Sequence, residues 1–290
     1  MDDFRKKLIY LCHFPGITWK EIFNTLKRDP MLLNISHQYP RQLSLSLSTN
    51  QPSSNFYLYE YFPDYLHDKI NQYPNNGIEV ITYFDDCYPL LLKEIFQPPW
   101  CLFLKGKSSL LNKTRKLAIV GARQATTYGK NVIDYILPPL LAHDILIVSG
   151  LANGIDTLAH RATINNGGDT IAVIAGGFNH IYPQENELLA QRLASEHLIL
   201  SEYPPDTRPT KWQFPARNRI ISGLCEGTII VEAKRKSGSL ITANYALQEG
   251  REVFAVPGSI FGPSSVGTND LIQQGAKLVM SGEDILTELR

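Results

Sequence analysis

The sequence predicts an α/β protein with a mostly parallel sheet carrying helices on both faces, preceded by a small helical domain. Three observations lead there. From Ile78 onward, short apolar runs alternate with helix-like stretches. Nearly every run then ends in small or polar residues, as in Gly121-Ala122-Arg123, Ser149-Gly150, Ala175-Gly176-Gly177, Ser201-Glu202, Glu232-Ala233 and Pro257-Gly258-Ser259. Ahead of Ile78 the apolar period is helical instead, with Phe4, Leu8, Leu11 and Cys12 on one face.

Along the chain, that first stripe makes one helix, and Phe14-Pro15-Gly16 makes the turn of a helical hairpin. Thr18, with Glu21 three residues on, forms a capping-box pattern that starts a second helix, whose apolar face is Trp19, Ile22, Phe23 and Leu26. Asp29-Pro30 stops it, because proline drives the residue before it out of the helical region. The polar stretch from Ser44 to Asn55 reads as a loop or linker, so a helical domain is expected over residues 1–75 and the α/β domain over residues 76–290. Six strands are expected at Lys116–Val120, Ile145–Ser149, Thr170–Ile174, His197–Ser201, Thr228–Glu232 and Glu252–Val256, with a seventh at Lys277–Met280. Ser237-Gly238-Ser239 precedes a helix that ends at Gly250, with Leu240, Ala243 and Leu247 as its buried stripe; a capping role is favoured for the serines over lengthening an anion surface beside Lys234-Arg235-Lys236.

The composition narrows the function. With 290 residues, 43% of them hydrophobic, the chain can build a sizeable core. Its net charge is zero, so contact with nucleic acid has to come from a local patch. One such patch runs from Lys211 to Lys236, where six basic residues face two glutamates. Cys12, Cys87, Cys101 and Cys225 are far apart, with no zinc spacing, and read as free thiols. The apolar run from Leu8 to Phe14 is too short for a signal sequence or a membrane span, so a cytoplasmic protein without membrane contact is expected.

In doubly wound sheets the carboxyl ends of the strands form the binding rim, and the candidate residues sit there. Phe214-Pro215-Ala216-Arg217-Asn218-Arg219 crowds two arginines and an asparagine at a helix start, and Lys234-Arg235-Lys236 follows the next strand. Free backbone N–H groups and guanidinium forks both favour phosphate. In Val120-Gly121-Ala122-Arg123, arginine stands where a dinucleotide fingerprint needs its second glycine, so that fingerprint is absent. Arg123 then meets a phosphate, another charged ligand or a carboxylate, and phosphate is favoured. Asp156 and His160 share a helix face after Ser149-Gly150-Leu151-Ala152-Asn153-Gly154, where a structural role is favoured over an acid–base or metal pair. Ala175-Gly176-Gly177 either cradles phosphate or lets the chain turn. Glu202 and Asp206 read as rim salt-bridge partners, and Trp212 and Phe214 as either base-stacking or core aromatics.

In this order the motifs resemble the DNA-processing protein A family (DprA, also called Smf), which acts in bacterial natural transformation. The resemblance runs from Tyr88-Pro89 and Pro98-Pro99 through Val120 to Arg123, Tyr128-Gly129, Ser149 to Asp156 and Ala159-His160. It continues through Tyr182-Pro183, Ser201 to Pro205, Phe214 to Gly223, Val231 to Ala233, Ser237-Gly238, Glu249 to Val253 and Ala255 to Ser259. It implies a Rossmann-like domain that binds and protects single-stranded DNA, forms a homodimer, and loads the RecA recombinase while displacing single-strand-binding protein. No catalytic residue and no cofactor are implied. The N-terminal helices resemble the family's SAM-like domain more loosely.

Carried over by position, Arg123, Arg217 and Arg219 line the family's basic DNA pocket, with Asn218 between the last two. Lys211, Lys130, Lys234 and the turn glycines Gly121 and Gly150 complete the expected set. The three arginines are expected to meet at the rim and neutralise consecutive phosphates. Asn153 stands where the family usually has arginine or lysine, and Ala175-Gly176-Gly177 with Asn179 replaces a Gly-Cys-Gly turn and its following Asp. The winged helix found at the C-terminus of many members is expected to be absent. The alternative is a phosphoribohydrolase-like enzyme of a related fold, but Ala233 to Leu240 lacks that group's P-G-G-x-G-T-x-x-E run. A module that binds an acidic protein surface is the second alternative.

Overall fold

A computed structural model describes residues 2–14, 16–33 and 64–289. Pro15 of the expected turn and the expected linker at Ser44–Asn55 lie outside the described residues. The chain divides into two compact units, Met1–Gly77 and Ile78–Arg290.

The first unit contains α1 (Asp3–Cys12), α2 (Trp19–Arg28) and α3 (Asp64–Asn71). Asp2 caps α1 by accepting from Arg5 N at 2.8 Å, and α2 opens on the expected capping box, with Thr18 N donating to Glu21 Oε2 at 2.6 Å. Leu8, Ile9, Tyr10 and Leu11 are all buried, so α1 is covered around more of its circumference than one stripe requires. In α2 only Ile22 is buried, and Phe23 of the expected apolar face is 43% exposed. His13 Nε2 lies 2.6 Å from the Tyr73 hydroxyl, and Tyr10 meets His67, so two histidine–tyrosine pairs link α1 to the segment around α3.

The second unit is built on a sheet of nine strands: β1 (Ile78–Thr82), β2 (Cys101–Gly106), β3 (Lys116–Val120), β4 (Leu146–Ser149), β5 (Thr170–Ile174), β6 (Leu198–Ser201), β7 (Gly227–Ile230), β8 (Glu252–Ala255) and β9 (Lys277–Leu278). Their order is β1-β2-β6-β5-β4-β3-β7-β8-β9, parallel from β6 to β9 and antiparallel at β1 and β2. The two antiparallel strands extend the sheet beyond the seven expected. Only a four-residue helix, α4 (Leu90–Lys93), separates them, so they do not show the strand–helix alternation that marks the others.

The remaining helices are α5 (Thr127–Ala142), α6 (Ile155–Asn165), α7 (Glu187–Glu196), α8 (Gln213–Gly223), α9 (Gly238–Gln248), α10 (Val266–Gln273) and α11 (Gly282–Glu288). They cover both faces of the Rossmann-like sheet, because side chains alternate across each strand. On β3, Leu117 and Ile119 join a core with Ile133, Ile136 and Leu140 of α5 and Ile155 and Ala159 of α6. Ala118 and Val120, pointing the other way, join Ile220 and Ile221 of α8 and Ala243 and Ala246 of α9. The apolar stripe of α9 is therefore turned from the expected one: Leu247 is 55% exposed, while Thr242 and Ala246 are buried.

The chain runs outward from β3 through β4, β5 and β6, then returns to lay β7, β8 and β9 on the other side of β3. The connections leaving β3 and β7 thus diverge, and a crevice opens between them at the sheet's carboxyl edge. At the opposite edge, Gly106 has φ 115° and pairs with Leu198. A Cβ there would lie 2.3 Å from His197 O, so no side chain fits without moving β6. Gly106→Ala is expected to cost about 2–4 kcal/mol of stability in chemical denaturation, from left-handed strain plus overpacking; an unchanged midpoint would contradict this account.

Candidate nucleic-acid interface

The crevice between β3 and β7 is a groove of about 920 Å³. One wall is the turn after β3, with Gly121, Arg123 and Gln124; the other is the loop after β7 and the start of α9, with Lys234, Lys236 and Ser237. Phe214, Arg217 and Asn218 enter from α8, and Lys211 from the segment before it. That helix starts where the Thr210 N–H donates to Gln213 Oε1 at 2.6 Å, and Pro215 falls in its first turn, where a missing N–H costs nothing.

Of the three expected arginines, two line the groove and one does not. Arg123 is exposed, with its guanidinium carbon 5.8 Å from the Phe214 ring centroid, and Tyr182 packs edge-on against that ring at 5.6 Å. Arg217 lines the groove floor yet is only 6% exposed, and its Nη1 donates to Val173 O at the end of β5. Its charge faces Asp156. A Cβ on Gly150 would sit 2.3 Å from both Arg217 Nη1 and Asp156 Oδ2, so this glycine lies against these two side chains rather than on the groove surface. Burial pushes the Asp156 carboxyl upward from the ordinary range, and Arg217 together with the Ala152 N–H at 3.2 Å pulls it back.

Arg219 points elsewhere, because residues two apart on a helix face nearly opposite directions. It pairs with Glu202, both side chains being mostly buried, beside Tyr88 and Tyr203 and outside the groove. Glu202 is thus a salt-bridge partner, as read from the sequence, whereas Asp206 accepts from the Asn179 amide. Lys130 also lies outside, paired with Asp134 on α5 at 2.5 Å. Arg123, Lys211, Lys234 and Lys236 are exposed in the groove and hold no salt bridge among the described residues.

Asn153 lines a smaller recess of about 210 Å³ that shares Arg123 and Phe214 with the groove. Ala175 lines the same recess, while Gly177 N donates to Thr207 O at 2.8 Å, so this glycine turn is packed against the segment before α8. Trp212 is 64% exposed and packs edge-on against Tyr203. Asn218 Nδ2 donates to Gly238 O at 3.3 Å and so ties α8 to the start of α9.

Sequence reasoning missed one element that shapes the groove. Glu232, buried just after β7, accepts from Thr126 N at 2.9 Å and Thr126 Oγ1 at 2.6 Å. It joins the bases of the two walls across 106 residues of sequence, a separation that leaves no local signal.

His160 has the structural role favoured for it. It is fully buried, donates from Nε2 to Gly150 O at 2.6 Å and meets Thr170 Oγ1 through Nδ1 at 2.7 Å. Among the described residues no group of three His, Cys, Asp or Glu is placed to hold a metal, and no helix is long and apolar enough to cross a membrane.

Known proteins share this arrangement. The profile of the family described as DNA recombination-mediator protein A matches residues 79–290. A DNA processing protein DprA of Bacillus subtilis is 55% identical over 217 residues, which is 75% of this chain and 73% of the relative. The crystal structure of DNA processing protein A from Streptococcus pneumoniae superposes with a TM-score of 0.74 at 47% identity, covering 78% of each chain. That of DNA processing protein A from Helicobacter pylori, solved for its single-stranded DNA binding mode, gives 0.66 at 31% identity and covers 73% of this chain and 95% of its own.

Burial pushes the His160 pKa down from 6.5 to about 4. The unfolded chain therefore takes up a proton below pH 6.5 that the folded chain refuses until about pH 4. The stabilisation is complete above pH 6.5, and about 3 kcal/mol of it is lost by pH 4. Urea titrations of His160→Gln are expected to show a flatter limb between those pH values than the parent; an equally steep limb would assign the loss to other groups.

Proposed function

The chain belongs to the DNA recombination-mediator protein A family, and on that premise we propose that its groove binds single-stranded DNA. The reading continues from there: the protein protects incoming strands in natural transformation, displaces single-strand-binding protein and loads the RecA recombinase without breaking a bond. A homodimer would set two grooves along one strand and raise affinity through effective concentration.

The observation that carries this reading is the set of four exposed cations, Arg123, Lys211, Lys234 and Lys236, around a single groove in a chain of zero net charge. Positive charge gathered in one concavity, on side chains with no salt bridge among the described residues, suits a phosphate chain. The Phe214 ring beside Arg123 adds an aromatic surface on which any base can stack. Arg217 supports the site from beneath, its charge facing Asp156. The groove's carboxylates also speak against the hydrolase alternative, since Asp156 is committed to Arg217 and Glu232, at the base of the walls, to Thr126.

Four phosphate contacts predict a log–log salt dependence with a slope of roughly −3, at about 0.7 per phosphate for single strands. In fluorescence anisotropy titrations, Arg123→Ala is expected to weaken single-strand binding and flatten the slope by about 0.7. Arg219→Ala, which leaves Glu202 buried and unpaired, is expected to keep the slope and lower the unfolding midpoint. Equal affinity for single strand and duplex, or an untouched slope in Arg123→Ala, would remove the reading.

A further inference from the structure

We propose that the N-terminal turn of α9 is a second phosphate subsite, on the groove wall opposite Arg123, where neutral hydroxyl and N–H donors hold the strand. The inference rests on the single-strand reading of the groove and adds residues that neither the basic patch nor the arginine motif singles out.

Two independent observations carry it. The first is the helix start itself. Ser237 caps α9 by accepting from Ser239 N, and its Oγ lies 2.8 Å from Ser239 Oγ, so two hydroxyls stand together at the helix start on the wall beside Lys236. Such a terminus favours an anion through both its unpaired donors and its dipole.

The second observation is Thr242. It is 1% exposed, lines the same wall, and its hydroxyl has no hydrogen-bond partner among the described residues. Inside a helix, a threonine hydroxyl ordinarily bonds back to the carbonyl four residues earlier. Here no such bond is made, and Gly238 O accepts from Asn218 Nδ2 at 3.3 Å. Thr242 thus offers an unpaired hydroxyl at the groove wall that a ligand can engage. Arg217, buried in the same groove, likewise keeps an Nε without a partner. A DNA phosphate set against Ser239 and Thr242 would accept from both hydroxyls while Arg123 held its neighbour across the groove. Neutral donors release no counterions, so this subsite adds affinity without adding to the salt slope.

Thr242→Val keeps the shape and removes only the hydroxyl. Anisotropy titrations at three salt concentrations, on linear strands with and without a 5′-phosphate and on a circular single strand, are expected to show about tenfold weaker binding with the parental slope. Thr242→Ser is expected to recover the affinity, which a mere packing defect would not allow. A loss seen equally on the circular strand identifies the occupant as an internal phosphodiester, and a loss confined to the phosphorylated linear strand identifies a terminal phosphate. Parental affinity of Thr242→Val on all three strands, or no recovery in Thr242→Ser, overturns the subsite and leaves the Arg123 slope standing. Failure of the parent protein to bind any strand overturns both.

Discussion

The buried guanidinium of Arg217, bonded to Val173 O and with its charge facing Asp156, is the constraint on which the rim of this sheet depends. Arg217 comes from α8, bonds Val173 O at the end of β5, and faces a carboxylate on the first turn of α6 across the glycine that ends β4. Two successive strand ends and two helices thereby meet at one guanidinium. Removing either partner would leave an uncompensated charge in a dry site, which costs about 3–5 kcal/mol and far exceeds the gain from any single surface contact. Desolvation raises the Asp156 pKa, and Arg217 and the Ala152 N–H oppose that shift.

That pair also decides which cations are free to meet a ligand. An arginine that is buried, holds a backbone carbonyl and faces a carboxylate contributes field at the groove floor more than surface donors. The free donors belong to Arg123 and to the lysines on the two walls, and those walls are held at their bases by Glu232 and Thr126. The groove is thus a rigid frame carrying flexible charges, with the frame made of buried polar bonds and the charges on long, solvated side chains.

How much of this was legible in the sequence depends on how far apart the interacting residues lie. The strands from β3 to β8 could be read because parallel strands buried on both faces are unbroken apolar runs between helices. β1 and β2 lacked flanking helices of ordinary length, and only the run Cys101-Leu102-Phe103-Leu104 hinted at a strand. Arg123 was readable from its glycine turn. Separating Arg217 from Arg219 needed only helical geometry, since a spacing of two sends the side chains to opposite sides; the resemblance placed both in one pocket because it transfers motifs rather than directions. The Glu232–Thr126 link and the unpartnered Thr242 leave no trace at short range, since each depends on which elements the fold brings together.

The two walls differ in chemistry, and under the proposal that the groove takes a single strand the difference has consequences. Cations on flexible side chains act through counterion release, so their hold weakens steeply as salt rises and varies little along the strand. Hydroxyl and N–H donors at a helix start act only at hydrogen-bond distance and in one geometry, so their hold is local and nearly independent of salt. A strand contacting only the first wall would slide; one contacting only the second would bind weakly and in register. With Arg123 and the start of α9 facing each other across one groove, long-range attraction and local registration are separate terms, and a partner competing for the strand needs to break only the local one to begin displacing it.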